Sequence, residues 1–252
     1  EVEFFGKNVP QPKNTAAASV AHPLEKKLAA QNPDGLRMYQ DGEMYVLENN
    51  HSIYVIDPRY TGTVNMAYDR IGKRNMVLYA NPGEGYGPIY GDRFYPGNYD
   101  IRDMYRYLPY QAEVLADAKD KKQLRLVGTG RSGIFRNVKI EKTYTLTADS
   151  SILKTDFVIN NGMDNVAPLE YGYWMCGGVQ SPDGYALILP GSGGTEKFPY
   201  IRQLVMRDVS SGWLAAYANS GDQGLALTMP YNLLKEFYFW GDNIYQGTIE
   251  FK

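Results

Sequence analysis

"FRNVKIEKTYTLTADSSILKTDFVINNGMDN", residues 135–165, decides the fold. From Val138 to Leu146 apolar and polar residues alternate, the two-residue period of a half-buried strand. Asp149-Ser150-Ser151 offers a turn, and a second strand pattern runs to Asn160. Asn161 to Asn165 form the next turn. The stretch reads as two successive strands bounded by turns.

The same rhythm extends on both sides. Upstream lie "RYLPYQAEVLADAK" and "KQLRLVGTG", and "GTGRSG" between the second of these and Val138 reads as a hairpin turn. Further upstream, "EMYVLENN" and "HSIYVIDPR" make a hairpin across Asn49-Asn50, and "NMAYDRIGKRNMVLYA" reads as two short strands around a polar turn at Gly72. Downstream follow "APLEYGYWMCGG", "GYALILPGSGG" and residues 201–208. Then come the hairpin "GWLAAYANSGDQGLALTMP" and the closing strands "KEFYFWGD" and "IYQGTIEFK". Roughly fourteen to sixteen strands with regular turn signals predict an all-β fold, a large antiparallel β-sandwich. "HPLEKKLAAQ", 22–31, predicts one short N-terminal helix, stopped by "NPDG". Residues 1–20 carry prolines and small polar residues and are expected to be poorly ordered. The expected organisation is an arm with a short helix over 1–35 and one β-sandwich domain over 36–252. "NPGEGYGPIYGDRFYPGNYD", 81–100, has too many glycines and prolines for a regular element; its aromatics mark a functional loop.

Composition narrows the function classes. The net charge of −2 comes from 26 basic and 28 acidic residues, well mixed along the chain. No basic face for nucleic acid is evident, and no apolar run reaches the ~20 residues of a membrane helix. Cys176 is the only cysteine, so neither an intrachain disulfide nor a cysteine-based zinc site exists. The chain begins at Glu1, which suggests a mature or trimmed chain; the expectation is an exported bacterial protein, secreted or periplasmic. The 22 tyrosines offer flat apolar faces with polar tips, which suit sugar rings as well as sheet packing.

Strong catalytic patterns are missing. There is no phosphate loop and no Gly-x-Ser-x-Gly elbow. His22, in the N-terminal arm, and His51, in a turn, have no metal-ligand spacing. Calcium is possible near Asp57, Asp92 or Asp100, but no loop there has the ordered ligand spacing of a calcium site; no metal ligand and no cofactor is assigned. Glu170, Glu250, Asp57, Asp92 and Asp100 border aromatic or glycine-rich stretches. Each reads first as a solvated strand-end carboxylate, and second as an acid or base raised by desolvation.

"LEYGYWMCGG", 169–178, is the aromatic strand. Alternation puts Tyr171, Tyr173 and Met175 on one face and Glu170, Gly172, Trp174 and Cys176 on the other. A slip of one residue would exchange these roles.

"VKIEKTYTLTADSSILKTDFVINNGMDNVAPLEYGYWMCGG", 138–178, resembles the core of galactose-mutarotase-like domains. "LENNHSIYVIDPRYTGTVNMAYDRIGKRNMVLY" is similar to their opening, "GDRFYP" to their arginine-bearing turn, and "FYFWGDNIYQGTIEFK" to their closing strands. The resemblance spans roughly residues 40 to 252, and it implies a supersandwich that binds or processes carbohydrate. It puts the catalytic glutamate on Glu250 and the sugar-binding arginine on Arg93. Where the family carries histidine in a His-x-Tyr pattern, this chain has Tyr171-Gly172-Tyr173. Tyrosine, with a pKa near ~10, is a poor acid or base for mutarotation. The catalytic candidates are therefore Glu250 and Tyr171, and the ligand-binding candidates Arg93, Tyr95, Tyr173, Glu170 and Trp240.

Three functions fit these residues. The first is a carbohydrate-binding domain of a bacterial glycan-processing protein, with a carbohydrate ligand and further domains of a longer chain as partners. The second is a carbohydrate-active enzyme on the same scaffold. As a uronic-acid lyase it would use Tyr171 or Tyr173 with Arg93. As a glycosidase it would use Glu170 with Glu250. An epimerase is the remaining form. The third is a structural or assembly module whose cleft is filled by protein.

Overall fold

A computed structural model describes, with side chains, residues 21–77, 79, 108–131, 136–162, 186–190, 194–198, 211–217, 224–230, 232–234 and 239. It describes the backbone alone at 2–5, 93–96, 171–180, 185, 191, 203–207, 218, 231, 236–238, 240–243 and 246–251. These residues form nineteen strands, one α-helix and a short 3-10 turn. Every strand pairing whose register is described is antiparallel, so the all-β reading holds. The chain divides into two compact units.

The helix-bearing unit comprises His22–Asn75 and Ala80–Tyr173. Its first sheet has the order of the chain: β2 (Arg37–Asp41), β3 (Met44–Glu48), β4 (Ser52–Asp57), β5 (Thr63–Asp69) and β6 (Arg74–Asn75). Its second sheet runs β11 (Lys154–Asn160), β10 (Lys139–Thr147), β9 (Lys121–Thr129), β8 (Gln111–Asp117). Alternation along β3 and β4 feeds two cores. Leu47 and Ile56 point into the space between the sheets, where they meet Leu124, Leu126, Ile140, Tyr144 and Leu146. Val46, Ile53 and Val55 point the other way and pack with Met66, Tyr68 and Leu28 of the helix. Each such aliphatic side chain, fully buried, contributes about 1.5–3 kcal/mol.

The helix α1 (Glu25–Ala29) is shorter than the predicted 22–31: it starts only after a turn at Pro23-Leu24 and ends at Ala29, ahead of Pro33. The Leu24 N–H donates to Nδ1 of His22 at 3.2 Å, which satisfies one of the orphan donors at its start. His22 is not on a loose arm: it is 2% exposed. One side chain stitches two distant turns. Asn49, buried, donates to the carbonyls of Thr147 and Ser150 and accepts from the backbone of His51 and Ser52.

The C-terminal unit comprises residues 1–21, 76–79 and 174–252. One sheet contains, in order, β1 (Val2–Phe5), β15 (Gln203–Arg207), β18 (Glu236–Asn243), β19 (Gln246–Phe251) and β12 (Tyr171–Gln180). The other runs β14 (Gly194–Phe198), β13 (Tyr185–Gly191), β16 (Trp213–Ala218), β17 (Gly224–Thr228). Leu187, Leu189, Leu214, Ala216 and Phe239 are fully buried.

Two expectations are corrected. Val2–Phe5, placed in a poorly ordered arm, pairs with β15 over Val2↔Met206 to Phe5↔Gln203. Four residues rich in valine and phenylalanine suffice for an edge strand despite the prolines that follow. Within 81–100, read as free of regular structure, Arg93–Pro96 is a strand, β7. Pro96 stands at its end, where no ladder donor is required.

Candidate functional site

β7 is hydrogen-bonded beside β12. The strand carrying Arg93 and Tyr95 thus neighbours the strand that opens with Tyr171 and Tyr173, and all four residues belong to the helix-bearing unit. In the C-terminal unit, Glu250 of β19 stands opposite Cys176 of β12 and opposite Tyr238 of β18. Trp240 pairs with Thr248, which makes Trp240 and Glu250 diagonal neighbours. Glu170, Asp92 and Asp100 lie outside the described residues.

Asp57 is not a solvated carboxylate. It is 1% exposed, and Arg59 fills it from two sides: the backbone N–H at 3.1 Å and Nε at 2.9 Å on Oδ1, and Nη2 at 2.7 Å on Oδ2. The same guanidinium reaches Glu43, and the Asp57 hydrogen bonds raise its pKa further above the ordinary arginine value. Arg59 thus neutralises the buried Asp57 within its own turn. Among the described residues no group of three metal-ligating side chains forms.

The sequence reading missed two buried polar centres. In one, Glu48, fully buried, is clamped by Arg37 Nη2 on Oε1 at 2.6 Å and by Arg70 Nη2 on Oε2. Arg70 also donates to the carbonyl of Gln31 at 2.7 Å. Burial first, and then the Glu48 charge, push the Tyr39 hydroxyl up to about 12. With a guanidinium on each carboxylate oxygen, this centre holds β2, β3 and the end of β5 together. Its one sequence signal is that Arg37 and Glu48 are cross-strand partners in the β2–β3 hairpin.

The other centre is Lys142, 1% exposed, on the inner face of β10. Its ammonium donates to the Thr61 carbonyl and lies 5.4 Å from the Tyr110 ring centroid and 5.8 Å from that of Phe157. Tyr144, one turn of the alternation further, donates to the Gly62 carbonyl. Thr61 and Gly62 are both left-handed, with φ of 57° and 66°, and that conformation turns their carbonyls towards β10. The sequence signal was a lysine in phase with Ile140, Tyr144 and Leu146.

No protein-family model matches the sequence, and no curated protein does. The fold has clear counterparts among solved structures. A galactose mutarotase-like protein from Clostridium acetobutylicum superposes with a TM-score of 0.58 at 12% identity, covering 87% of this chain and 88% of the other. A putative aldose 1-epimerase from Klebsiella pneumoniae gives 0.58 at 14%, with 90% and 77% covered. A TPR-domain containing protein from Parabacteroides distasonis gives 0.61 at 10% over 82% of this chain, which spans only 42% of that protein's length. The antiparallel sheets and these likenesses together assign the chain the galactose mutarotase-like fold.

Proposed function

We propose that this chain is a carbohydrate-binding domain of a glycan-processing protein, and that the β7–β12 strand pair carries the ligand contacts. The observation that supports this most is the adjacency of the Arg93/Tyr95 strand to the Tyr171/Tyr173 strand on a fold shared with mutarotase-like proteins. Aromatic rings stack on the apolar faces of sugars, and an arginine donates to their hydroxyl or carboxylate oxygens. Binding is favoured over epimerisation because β12 bears tyrosines at 171 and 173. The only histidines are elsewhere: His22 is buried against the helix start, and His51 sits in the β3–β4 turn. An exported bacterial location belongs to the same reading.

A glycan array probed with the parent, Tyr173→Ala and Arg93→Ala tests it. The expected result is a defined glycan class held by the parent and weakened roughly tenfold or more in each variant. A parent that binds no glycan would sink the reading. Turnover of the bound glycan, seen as an unsaturated or epimerised product, would replace it with the enzyme.

A further inference from the structure

The register of the sheet that contains β15, β18 and β19 sorts its residues onto two faces. Direct cross-strand partners share a face, and so do residues two apart along a strand. One face carries Met206, Phe237 and Phe251 in one row and Leu204, Phe239 and Ile249 in the next. All six are apolar and Phe239 is fully buried, so this is the core side. The opposite face carries a different set. Arg207 stands opposite Glu236, Tyr238 opposite Glu250, and Trp240 opposite Gln203 and Thr248. All of these residues belong to the C-terminal unit.

Two carboxylates stand close in that register. Glu236 lies two residues before Tyr238, the partner of Glu250, so Glu236 and Glu250 are diagonal neighbours on one face. Such neighbours are roughly 7–8 Å apart between Cα atoms. From that spacing two glutamates reach the separation of roughly 5–9.5 Å at which a carboxyl pair flanks a glycosidic bond and hydrolyses it. The register also gives the two different partners. An arginine directly cross-strand favours the ionised form of Glu236. The cross-strand partners of Glu250 are Tyr238 and Cys176, and neither is a cation. Carboxyl groups set apart in this way divide into an acid and a base. Trp240, diagonal to Glu250 on its other side, brings an indole on which a sugar ring can stack. Arg207 is the one cation in these cross-strand pairs and stands opposite Glu236, so the matching sugar is uncharged. Glu170 lies outside the described residues; the carboxylate that the fold brings beside Glu250 is Glu236.

We propose that this face of β15, β18 and β19 hydrolyses a neutral glycoside, with Glu250 as the acid and Glu236 as the base. Glu250 gives its proton to the glycosidic oxygen as the bond from that oxygen to C1 breaks. Glu236 takes a proton from the water whose oxygen bonds to C1, and exchange with solvent restores both groups. The activity goes beyond the carbohydrate-binding reading, and none of its residues is Arg93, Tyr95, Tyr171 or Tyr173. The test uses 4-nitrophenyl and methyl glycosides of neutral hexoses, in both anomers, with the intact chain and two variants. The parent releases free sugar from one hexose class. Glu236→Gln lowers that release roughly a hundredfold or more on both leaving groups. Glu250→Gln does so on the methyl glycoside but costs about tenfold or less on the nitrophenyl one, since nitrophenolate leaves without a proton. The ratio of the two rates does not depend on how much of the variant is folded, so a loss of fold cannot imitate it. A parent that releases nothing from any of these glycosides overturns the site, as does release that persists in Glu236→Gln or falls equally on both leaving groups in Glu250→Gln. The glycan array with Tyr173→Ala and Arg93→Ala decides the β7–β12 reading separately.

Discussion

Lys142 and Thr61 lie 81 residues apart, and the buried ammonium of one donates to the carbonyl of the other. The bond is mutual in its demands. Thr61 holds a left-handed backbone that a β-branched residue rarely adopts. A lysine on the inner face of a sandwich needs an acceptor. Each unfavourable feature is answered by the other.

Replacing Lys142 tests that coupling. Lys142→Met keeps the length and removes the donor, which leaves the Thr61 carbonyl buried and short of a bond. The expected loss is about 1–3 kcal/mol. A urea unfolding curve with an unchanged midpoint would show that the bond contributes nothing.

Gly128 has no room for a side chain. A Cβ there would stand 2.2 Å from Cε1 of Tyr110 and 2.4 Å from its Cδ1, inside the core between the sheets. Gly128→Ala should cost about 1–3 kcal/mol through overpacking. Gly42→Ala is the comparison: nothing lies within 4 Å of its Cβ and only the φ of 63° is unfavourable. It should lose about 1 kcal/mol. Melting temperatures of the two variants would rank them.

His22 gives stability a dependence on acid. Burial lowers its pKa from 6.5 to about 4. The unfolded chain therefore binds a proton on this side chain that the folded chain refuses. Stability is fully present above about pH 6.5 and is lost as pH falls towards 4, by an amount on the order of a few kcal/mol. His22→Asn retains an acceptor for the Leu24 N–H without a titrating ring. Denaturation midpoints measured across that window should fall in the parent and fall less in the variant.

The Glu48 clamp should be unequal. Arg70 has 9% of its side chain exposed and Arg37 41%, so solvent screens the second pair far more. Glu48→Gln strands two guanidiniums and should cost about 3–5 kcal/mol. Double-mutant cycles with Arg70→Met and Arg37→Met should give the larger coupling to Arg70. Equal couplings would contradict the assignment.

Hairpins were legible from the residues because their signals are local. Alternation on each side of Asn49-Asn50 marked the hairpin, which the fold closes with Glu48 opposite Ile53. Short strands escaped. β2, β7 and β14 have five, four and five residues, too few periods to stand out beside glycine and proline. The strand with Tyr171 and Tyr173 was visible as aromatic alternation; the resemblance singled out Arg93, and the adjacency of their strands came only with the fold. Glu48 was hidden for a different reason. Its partners come from β2 and from the end of β5, and no local window contains Arg37, Glu48 and Arg70 together.

Asn49 has a kinetic implication. Its amide spans 98 and 101 residues to reach Thr147 and Ser150. The hairpins that flank it can close early, since they join neighbours in sequence. The Asn49 bonds form only when the two sheets have met, after the loop entropy between them has been spent. Asn49→Ala should therefore accelerate unfolding and leave the folding rate nearly unchanged, so that the polar stitch between two turns acts as a latch on a sandwich already assembled.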